Sequence, residues 1–209
     1  YPEVVGGCRL RGYYTYLVGE GETVARADKV LYADSSFFEV FTVPLIAGDK
    51  KTALNSPNHI AISATLAAKH FKEENPLGKS LRLDGGESYQ ISAVYEDMPT
   101  QSHVQPEMLI SMASMEHALN QFWVSNNYYT YALMAREADV SQFAAKLDQV
   151  VDTYIADAIL SLLGADIRSP EGAEVYSKSF SLQNIADIHL ESNYNTEIET
   201  NGNKSYVIL

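Results

Sequence analysis

Residues 30–48, VLYADSSFFEVFTVPLIAG, predict a strand, a short aromatic helix and a second strand. Asp34 stands just before the helix, where its carboxylate is a good N-cap for the turn that follows. Three rings occur within five residues, at Phe37, Phe38 and Phe41. A helix this short is not stable by itself, so we expect the rings to be buried against a larger structure. The stretch is therefore a β-α-β packing unit with no catalytic chemistry of its own.

Two hairpins are predicted on either side of this unit. Residues 13–18 alternate as a strand, a Gly-Glu-Gly turn follows at 19–21, and residues 23–33 form the return strand. Residues 79–97 form the second hairpin around the turn Asp84–Glu87. Each hairpin implies an antiparallel pair of strands.

Polar segments at 49–57 and 97–102 are predicted linkers. Between them, His59–Ile62 reads as a short strand, and Ser63 is placed to cap a helix that follows it. We therefore expect residues 58–99 to form one compact β-α-β-β lobe.

The second half of the chain mixes helices and strands. Its longest predicted helix covers residues 139–163, where apolar side chains recur at helical spacing, and Gly164 ends it. The other predicted elements are a strand at 107–111, a short helix at 112–121, a strand at 128–135, a loop at 165–179 and a turn or short helix at 180–188. Nine side chains along the chain are predicted to lie in the core: Phe37, Phe38, Phe41, Phe71, Leu81, Leu83, Phe143, Leu147 and Tyr154.

Composition limits the class of protein and its partners. The chain has 209 residues, 46% of them hydrophobic, which is enough for one or two lobes with a core. Fifteen basic residues against 27 acidic ones give a net charge of −12. Nucleic acid and anionic membrane surfaces are unfavourable partners, because phosphate binding needs clustered cations. No apolar run reaches the roughly 18 residues of a transmembrane helix, and no secretory signal opens the chain.

Two motifs could carry chemistry but favour structural interpretations. Gly78–Ser80 resembles the end of a phosphate-binding loop, but Glu73 stands where that loop needs a glycine, and a strand follows where a helix is required. A turn is therefore preferred. Cys8 is the only cysteine, so no internal disulfide can form, and a partly buried, inert thiol is favoured over a nucleophile.

The histidines show no metal-binding spacing. The five are His59, His70, His103, His117 and His189, and none fits H-E-x-x-H or H-x-x-x-H. His103 lies near acidic residues 96, 97 and 107, which leaves a loosely built metal site open, although solvated loop charges are favoured. We predict no catalytic, cofactor-binding or metal-binding residue.

One aromatic group could form a binding platform. Trp123 and Phe122 stand shortly before the tyrosines at 128, 129 and 131. Aromatic residues that enter a strand belong more often to the core, so the core interpretation is favoured here as well.

Three segments resemble the MacB-like periplasmic core domain, the extracytoplasmic domain of FtsX-like permeases in ABC transporters. They are ADSSFFEVFTVPLIAGD (33–49), ISATLAAKHFKEENPLGKSLRLDG (62–85) and YQISAVYEDMPTQSH (89–103). NNYYTYALM, the long helix and SLQNIADIHL…NGNKSYVIL resemble the second half of that family. The similar segments occur in the same order as in the family and extend over nearly the whole chain. The sequence resembles the variants of this domain that are common in Bacteroides-type bacteria.

The resemblance implies an α+β fold with two lobes. Residues 1–52 and 103–209 are expected to form a porter-like lobe of β-α-β units, and residues 53–102 a smaller inserted β-α-β-β lobe. In the family this domain lies between the first two membrane helices of the permease. Tyr1 is therefore expected shortly after the first of these helices, and Tyr206–Leu209 is expected to lead into the second.

The resemblance also implies a mechanical function without catalytic residues. The family's ATP site lies on a separate cytoplasmic ATPase subunit or domain, so we expect no cofactor here. The implied partners are the membrane helices of the same permease, the ATPase, and a periplasmic adaptor or lipoprotein. The full-length permease is expected to be dimeric, and this domain to lie at the periplasmic face of the inner membrane.

Two other classes of function stay open at this stage. A periplasmic sensor or ligand-binding domain is the main alternative, in which the inserted lobe and the aromatic group close over a small molecule. A hydrolase is the third, because catalytic groups can converge from distant positions in a sequence.

Overall fold

The predicted α+β class is confirmed by a computed structural model that describes residues 1–19, 24–116, 118, 123–191 and 198. The strands are β1 (Val4–Val18), β2 (Ala25–Ala33), β3 (Leu45–Gly48), β4 (His59–Ser63), β5 (Ser80–Arg82), β6 (Ser88–Tyr95), β7 (Met108–Ser111) and β8 (Tyr129–Met134). The helices are α1 (Phe37–Val40), α2 (Ala64–Phe71), α3 (Val140–Val150), α4 (Ala156–Leu163), α5 (Pro170–Val175) and α6 (Ile185–Glu191).

The strands form one mixed sheet in the order β3-β6-β4-β7-β2-β1-β8, with β5 added to β6. Two pairs are parallel, β2 with β7 and β4 with β6. The pairs β1–β2, β3–β6, β4–β7 and β5–β6 are antiparallel, so the strand pairing of both predicted hairpins is confirmed. β7 thus joins β4 on one side to β2 on the other. Residues 20 and 21 of the predicted turn at 19–21 lie outside the described residues.

The stretch 30–48 has the predicted order of strand, helix and strand, but its helix cap is different. The N-cap of α1 is Ser36, whose side chain makes no capping hydrogen bond. Asp34 instead accepts hydrogen bonds from the main chain and the guanidinium of Arg9. The predicted Asp34 cap is therefore wrong, because a stronger, charge-assisted partner occupies that carboxylate.

Two helices cover opposite faces of the sheet. Neighbouring residues of a strand point to opposite faces, so Leu31 and Val30 belong to different hydrophobic clusters. Leu31 lies in the cluster that contains the rings of α1, and Val30 lies in the cluster that contains Leu66 of α2. The central strands are therefore buried on both sides.

Helix α2 begins at the predicted cap. The Ser63 hydroxyl accepts a hydrogen bond from the Leu66 main-chain nitrogen at 3.2 Å, which satisfies one of the free N–H groups of the first turn. The helix ends at Phe71, and Lys72 then has a positive φ of 54°.

Replacing this cap is expected to have a moderate cost. Ser63→Ala should lower the free energy of unfolding by about 1 kcal/mol, since it removes the acceptor of the capping hydrogen bond. Chemical denaturation measures the change. Ser161→Ala, at an exposed position inside α4, is the control and should change stability little. Equal effects at the two serines would contradict the capping role.

The long predicted helix is confirmed in position but contains an irregular turn. α3 and α4 are joined by a π-helical turn at Val151–Ile155. Asp139 caps the start by accepting from the Gln142 main-chain nitrogen at 3.0 Å, and Gly164 ends the helix with φ 70°. A π turn inserts an extra residue, so side chains there rotate away from a regular helical stripe.

The predicted loop at 165–179 contains a helix, α5, so this prediction is wrong. Ser169 accepts a hydrogen bond from the Gly172 main-chain nitrogen at 3.0 Å, and Pro170 occupies the first turn. Both are ordinary helix-start signals.

The predicted turn or short helix at 180–188 corresponds to α6. Of the predicted helix 112–121, a 3-10 turn is present at Met112–Ser114, while residues 117 and 119–122 lie outside the described residues.

The chain divides into two compact units. The helical unit comprises Tyr1–Val5, Asn120–Asn126 and Leu133–Asn184, and the sheet unit comprises Gly6–Leu119, Asn127–Ala132 and Ile185–Leu209. The boundaries of these two units differ from those of the predicted lobes, in which residues 53–102 are inserted between residues 1–52 and 103–209. These lobes stay a prediction. In the structure, β4, β5 and β6 of the middle segment belong to the same sheet as β2 and β7.

Candidate functional site

The three rings of α1 are core residues. Phe37 stacks on Phe41 with the ring centroids 4.8 Å apart and meets Phe38 edge to face at 5.2 Å. Tyr95 and Tyr131 extend the group by contacts with Phe38 and Phe41. Phe37, Phe38 and Phe41 are 0%, 2% and 9% exposed, so the three rings stabilise the sheet unit.

The other predicted core residues fall into three groups. Leu81, Leu83 and Phe143 are buried, whereas Phe71 and Leu147 are only half-buried. Tyr154 is 48% exposed, so its assignment to the core is wrong. It lies in the π-helical turn, whose extra residue removes Tyr154 from the buried stripe that the regular spacing predicted.

Tyr154 instead takes part in an exposed aromatic group of the helical unit. Its ring stacks on Trp123 with centroids 4.5 Å apart, and Trp123 is 40% exposed. The Lys178 ammonium donates to the Asn126 side-chain oxygen at 2.8 Å and lies 5.3 Å from the centre of the Phe180 ring. Partial burial lowers the pKa of Lys178. Among the described members of the predicted platform, Trp123 is in this group, whereas Tyr131 contacts Phe41 and Tyr128 lies beside Arg9. Phe122 lies outside the described residues.

The most connected polar group of the sheet unit is the pair Arg9–Asp34. The Arg9 main-chain nitrogen, Nε and Nη2 all donate to the Asp34 carboxylate, at 2.8, 3.0 and 2.9 Å. Arg9 Nη1 donates to the Ala118 carbonyl at 3.0 Å, and its guanidinium lies 5.3 Å from the centre of the Tyr128 ring. The hydrogen bonds with Asp34 raise the pKa of Arg9. This pair fixes the turn before α1 to β1 and has a structural role.

Cys8 is buried beside this pair. Burial, with a smaller contribution from the Asp34 charge, raises the pKa of the thiol to about 12. The thiolate is the reactive form, so Cys8 is a poor nucleophile at neutral pH.

Cys8 is therefore expected to resist thiol reagents in the folded chain. At pH 8, only about 1 in 10⁴ of the thiol is ionised if its pKa is about 12. Titration with Ellman's reagent should show almost no reaction in buffer and one thiol in guanidinium chloride. Ser161→Cys supplies an exposed thiol as the control and should react at once. Rapid reaction of the native chain would contradict the burial of Cys8.

Two of the three acidic residues near His103, Asp97 and Glu107, are held by other partners. His103 Nε2 lies 3.1 Å from the Tyr131 hydroxyl, while Asp97 accepts from Thr65 and Glu107 accepts from the Asp28 main-chain nitrogen. Among the residues that the structure describes, no group of three or more His, Cys, Asp or Glu could hold a metal ion. His117 and the side chain of His189 lie outside them.

The Gly78–Ser80 motif is a turn. Gly78 has φ 77°, and its main-chain nitrogen donates to the Ile91 carbonyl at 2.8 Å. Lys79 pairs with Glu74 and lies over the Phe71 ring, so its ammonium already has local partners. β5 follows this turn where a phosphate-binding loop would need a helix.

The fold and these side-chain groups together define the class of protein. It is an α+β domain in which the Arg9–Asp34 pair has a structural role and the Trp123–Tyr154 stack is exposed. In the described ranges, no helix has the length and apolar character needed to cross a bilayer.

The profile of the MacB-like periplasmic core domain family matches residues 4–150, so the chain belongs to this family. It is a periplasmic domain of the ABC transporter permease family, which confirms the resemblance and the predicted extracytoplasmic location. Domains of this family belong to membrane-embedded permeases that generally work with an ATPase, and they are generally non-catalytic. No curated protein matches the chain.

Solved structures give similar matches. A domain described as part of a permease protein from Porphyromonas gingivalis is 27% identical, with a TM-score of 0.62 over 73% of this chain and 71% of that one. The periplasmic region of MacB from Actinobacillus actinomycetemcomitans is 12% identical, with a TM-score of 0.47 over 78% and 70%. The extracellular domain of the ABC-type transporter YknZ from Gram-positive bacteria is 16% identical, with a TM-score of 0.47 over 78% of each chain.

Proposed function

We propose that this domain transmits ATP-driven motion from the membrane part of its permease to a substrate or partner protein in the periplasm. The observation that carries the proposal is the family match over residues 4–150. ATP would be hydrolysed by a separate cytoplasmic subunit or domain, and the permease would act as a dimer whose membrane helices flank both ends of this chain. A periplasmic adaptor or a lipoprotein is the proposed partner, and efflux the proposed direction of transport.

The stiffness of the sheet unit supports a mechanical role. A domain that transmits motion must move as a body, because a soft domain would absorb the displacement. β7 is buried along its whole length, and the pair Arg9–Asp34 connects β1 to the turn before α1. Close-packed interiors of this kind have low compressibility and transmit strain.

The predicted lobes enter this proposal as parts that move together. We propose that residues 53–102 move with β2 and β7 of the flanking segments, 1–52 and 103–209, because these strands belong to one sheet. Spin labels placed in the middle segment and on β2 should keep their mutual distance when ATP binds.

The experiment uses the full-length permease with its ATPase in lipid nanodiscs. A spin label at Lys51→Cys is placed on an exposed position of the sheet unit, and buried Cys8 should remain unlabelled. Distances between the labels of the two subunits should change between the nucleotide-free state and the state trapped with ATP. An ATPase variant unable to bind ATP is the control. Identical distances in both states, with ATP hydrolysis intact, would reject the transmission of motion.

A sensor or ligand-binding function is the second candidate. The exposed stack of Trp123 on Tyr154 favours it, because aromatic faces of this kind bind planar or apolar molecules. A thermal-shift screen of periplasmic metabolites should then find a compound that stabilises the chain but not the Trp123→Ala variant. Equal shifts in both proteins would reject this site.

A further inference from the structure

Lys178 differs from the other basic residues of the helical unit in its partners. Lys146 and Arg168 are paired with carboxylates, and Arg136 is exposed to solvent. The Lys178 side chain is half-buried, yet no carboxylate among the described residues forms an ion pair with its ammonium. A charge that loses water without gaining a counter-charge is held at a cost in free energy.

Two neutral oxygen atoms hold this ammonium in place. Its Nζ donates to Asn126 Oδ1 at 2.8 Å and to the Trp123 carbonyl oxygen at 3.4 Å. Partial burial lowers the pKa of Lys178, which shows that these neutral acceptors do not fully replace water. An ammonium has three N–H groups, so one of them remains for a further acceptor. A carboxylate would supply both the missing negative charge and a charge-assisted hydrogen bond.

The residue that accepts from Lys178 also carries the exposed aromatic stack. The Trp123 ring lies against the Tyr154 ring with 4.5 Å between centroids and 20° between planes, and both rings are exposed. The Phe180 ring, also exposed, lies 5.3 Å from the same ammonium. These contacts join five residues of the helical unit into one cluster, which we call the Lys178 site: Trp123, Asn126, Tyr154, Lys178 and Phe180.

We propose that the Lys178 site binds a small molecule that carries a carboxylate on a planar ring. The carboxylate would accept a hydrogen bond from Lys178 Nζ, and the ring would stack on the exposed part of Trp123. A single ammonium matches a single negative charge, whereas a phosphate dianion would find no second cation among these residues in a chain of net charge −12. A cationic ligand would be repelled by Lys178 itself.

The inference rests on the second candidate function, ligand binding, and deepens it by naming the charge and shape of the ligand. A compound whose binding needs Trp123 but is insensitive to the charge of Lys178 would support ligand binding and overturn this inference. Binding is measured with the chain of residues 1–209, so neither result changes the interpretation of the distance measurements on the full-length permease.

The test uses the fluorescence of Trp123, which is the only tryptophan of the chain and therefore reports directly on the Lys178 site. Three probes differ by one property each. Phenylacetate has the carboxylate and the planar ring, phenylacetamide lacks the charge, and cyclohexylacetate lacks the planar ring. Phenylacetate should change the fluorescence in a saturable way, and the other two should bind about tenfold more weakly or worse.

Matched variants separate Lys178 from general charge attraction. Lys178→Met removes the ammonium but keeps an unbranched apolar side chain. It should weaken phenylacetate binding about tenfold and leave phenylacetamide binding unchanged. Arg136→Met removes an exposed positive charge from the same unit and should bind phenylacetate as the native chain does.

Circular dichroism should show both variants folded, and if Lys178→Met does not fold, the three probes decide the question on the native chain. No binding of phenylacetate, or equal binding of the three probes, would overturn the proposal. An unchanged affinity for phenylacetate in folded Lys178→Met, or equal weakening by Arg136→Met, would overturn it as well.

Discussion

Phe37→Ala is expected to lower the free energy of unfolding by about 3 to 5 kcal/mol, the range found for large aromatic residues removed from a core. Phe37 is fully buried and contacts the rings of Phe38 and Phe41 at 5.2 and 4.8 Å between centroids. Its removal leaves a cavity in the cluster beneath the sheet and takes away both ring contacts. Urea denaturation followed by circular dichroism measures the change.

Phe180→Ala is the matched control, since it removes the same side chain from a position that is 38% exposed. It should cost about 1 kcal/mol or less. Phe38→Ala should lower the free energy of unfolding by a similar amount to Phe37→Ala. If the Phe37→Ala variant does not fold, Phe37→Leu is a milder substitution at the same position. Similar stability changes at Phe37 and Phe180 would remove the α1 rings from the core.

Gly48→Ala is the second change with a large expected effect. It should lower the free energy of unfolding by about 2 to 6 kcal/mol. Gly48 has φ 95°, a conformation that costs a residue with a Cβ about 1 to 3 kcal/mol. The added Cβ would also lie 2.5 Å from the Ser92 carbonyl oxygen and 2.8 Å from the Ala93 Cα, so the pair β3–β6 must shift. Overpacking of this kind costs about 1 to 3 kcal/mol more.

Gly78→Ala separates the two contributions. Gly78 also has a positive φ, 77°, but an added Cβ would meet no atom within 4 Å. Its destabilisation should therefore report backbone strain alone, and the difference from Gly48→Ala should report the collision with β6. Equal destabilisation by the two substitutions would show that β3 and β6 do not approach closely at Gly48.

Local signals predicted the elements well, because each depends on a few neighbouring residues. Ser63 caps α2, Gly164 ends α4, and the aromatic run at 37–41 is buried as expected. The missed helix α5 also had a readable signal in Ser169-Pro170, a cap followed by proline in the first turn. The length of the polar stretch around it hid this signal.

Features that depend on distant residues could not be predicted in the same way. Arg9 is 25 positions from Asp34, and its hydrogen bonds decide that Asp34 does not cap α1. The π-helical turn that exposes Tyr154 leaves no mark in the apolar spacing. The Trp123–Tyr154 stack was missed for this reason, since regular helical spacing assigns Tyr154 to the core.

The central position of β7 has a consequence for how the chain acquires its structure. β7 contributes only Met108–Ser111, yet it connects the half-sheet β3-β6-β4 to the half-sheet β2-β1-β8. Each half has an open edge until residue 111 is available, and the parallel pairing of β2 with β7 joins residues about 80 positions apart. Contacts so distant in sequence slow folding, and open edges favour aggregation in the meantime. The four residues of β7 thus close the two inner edges of the growing sheet, whereas the edge of β1 stays open until β8 is available.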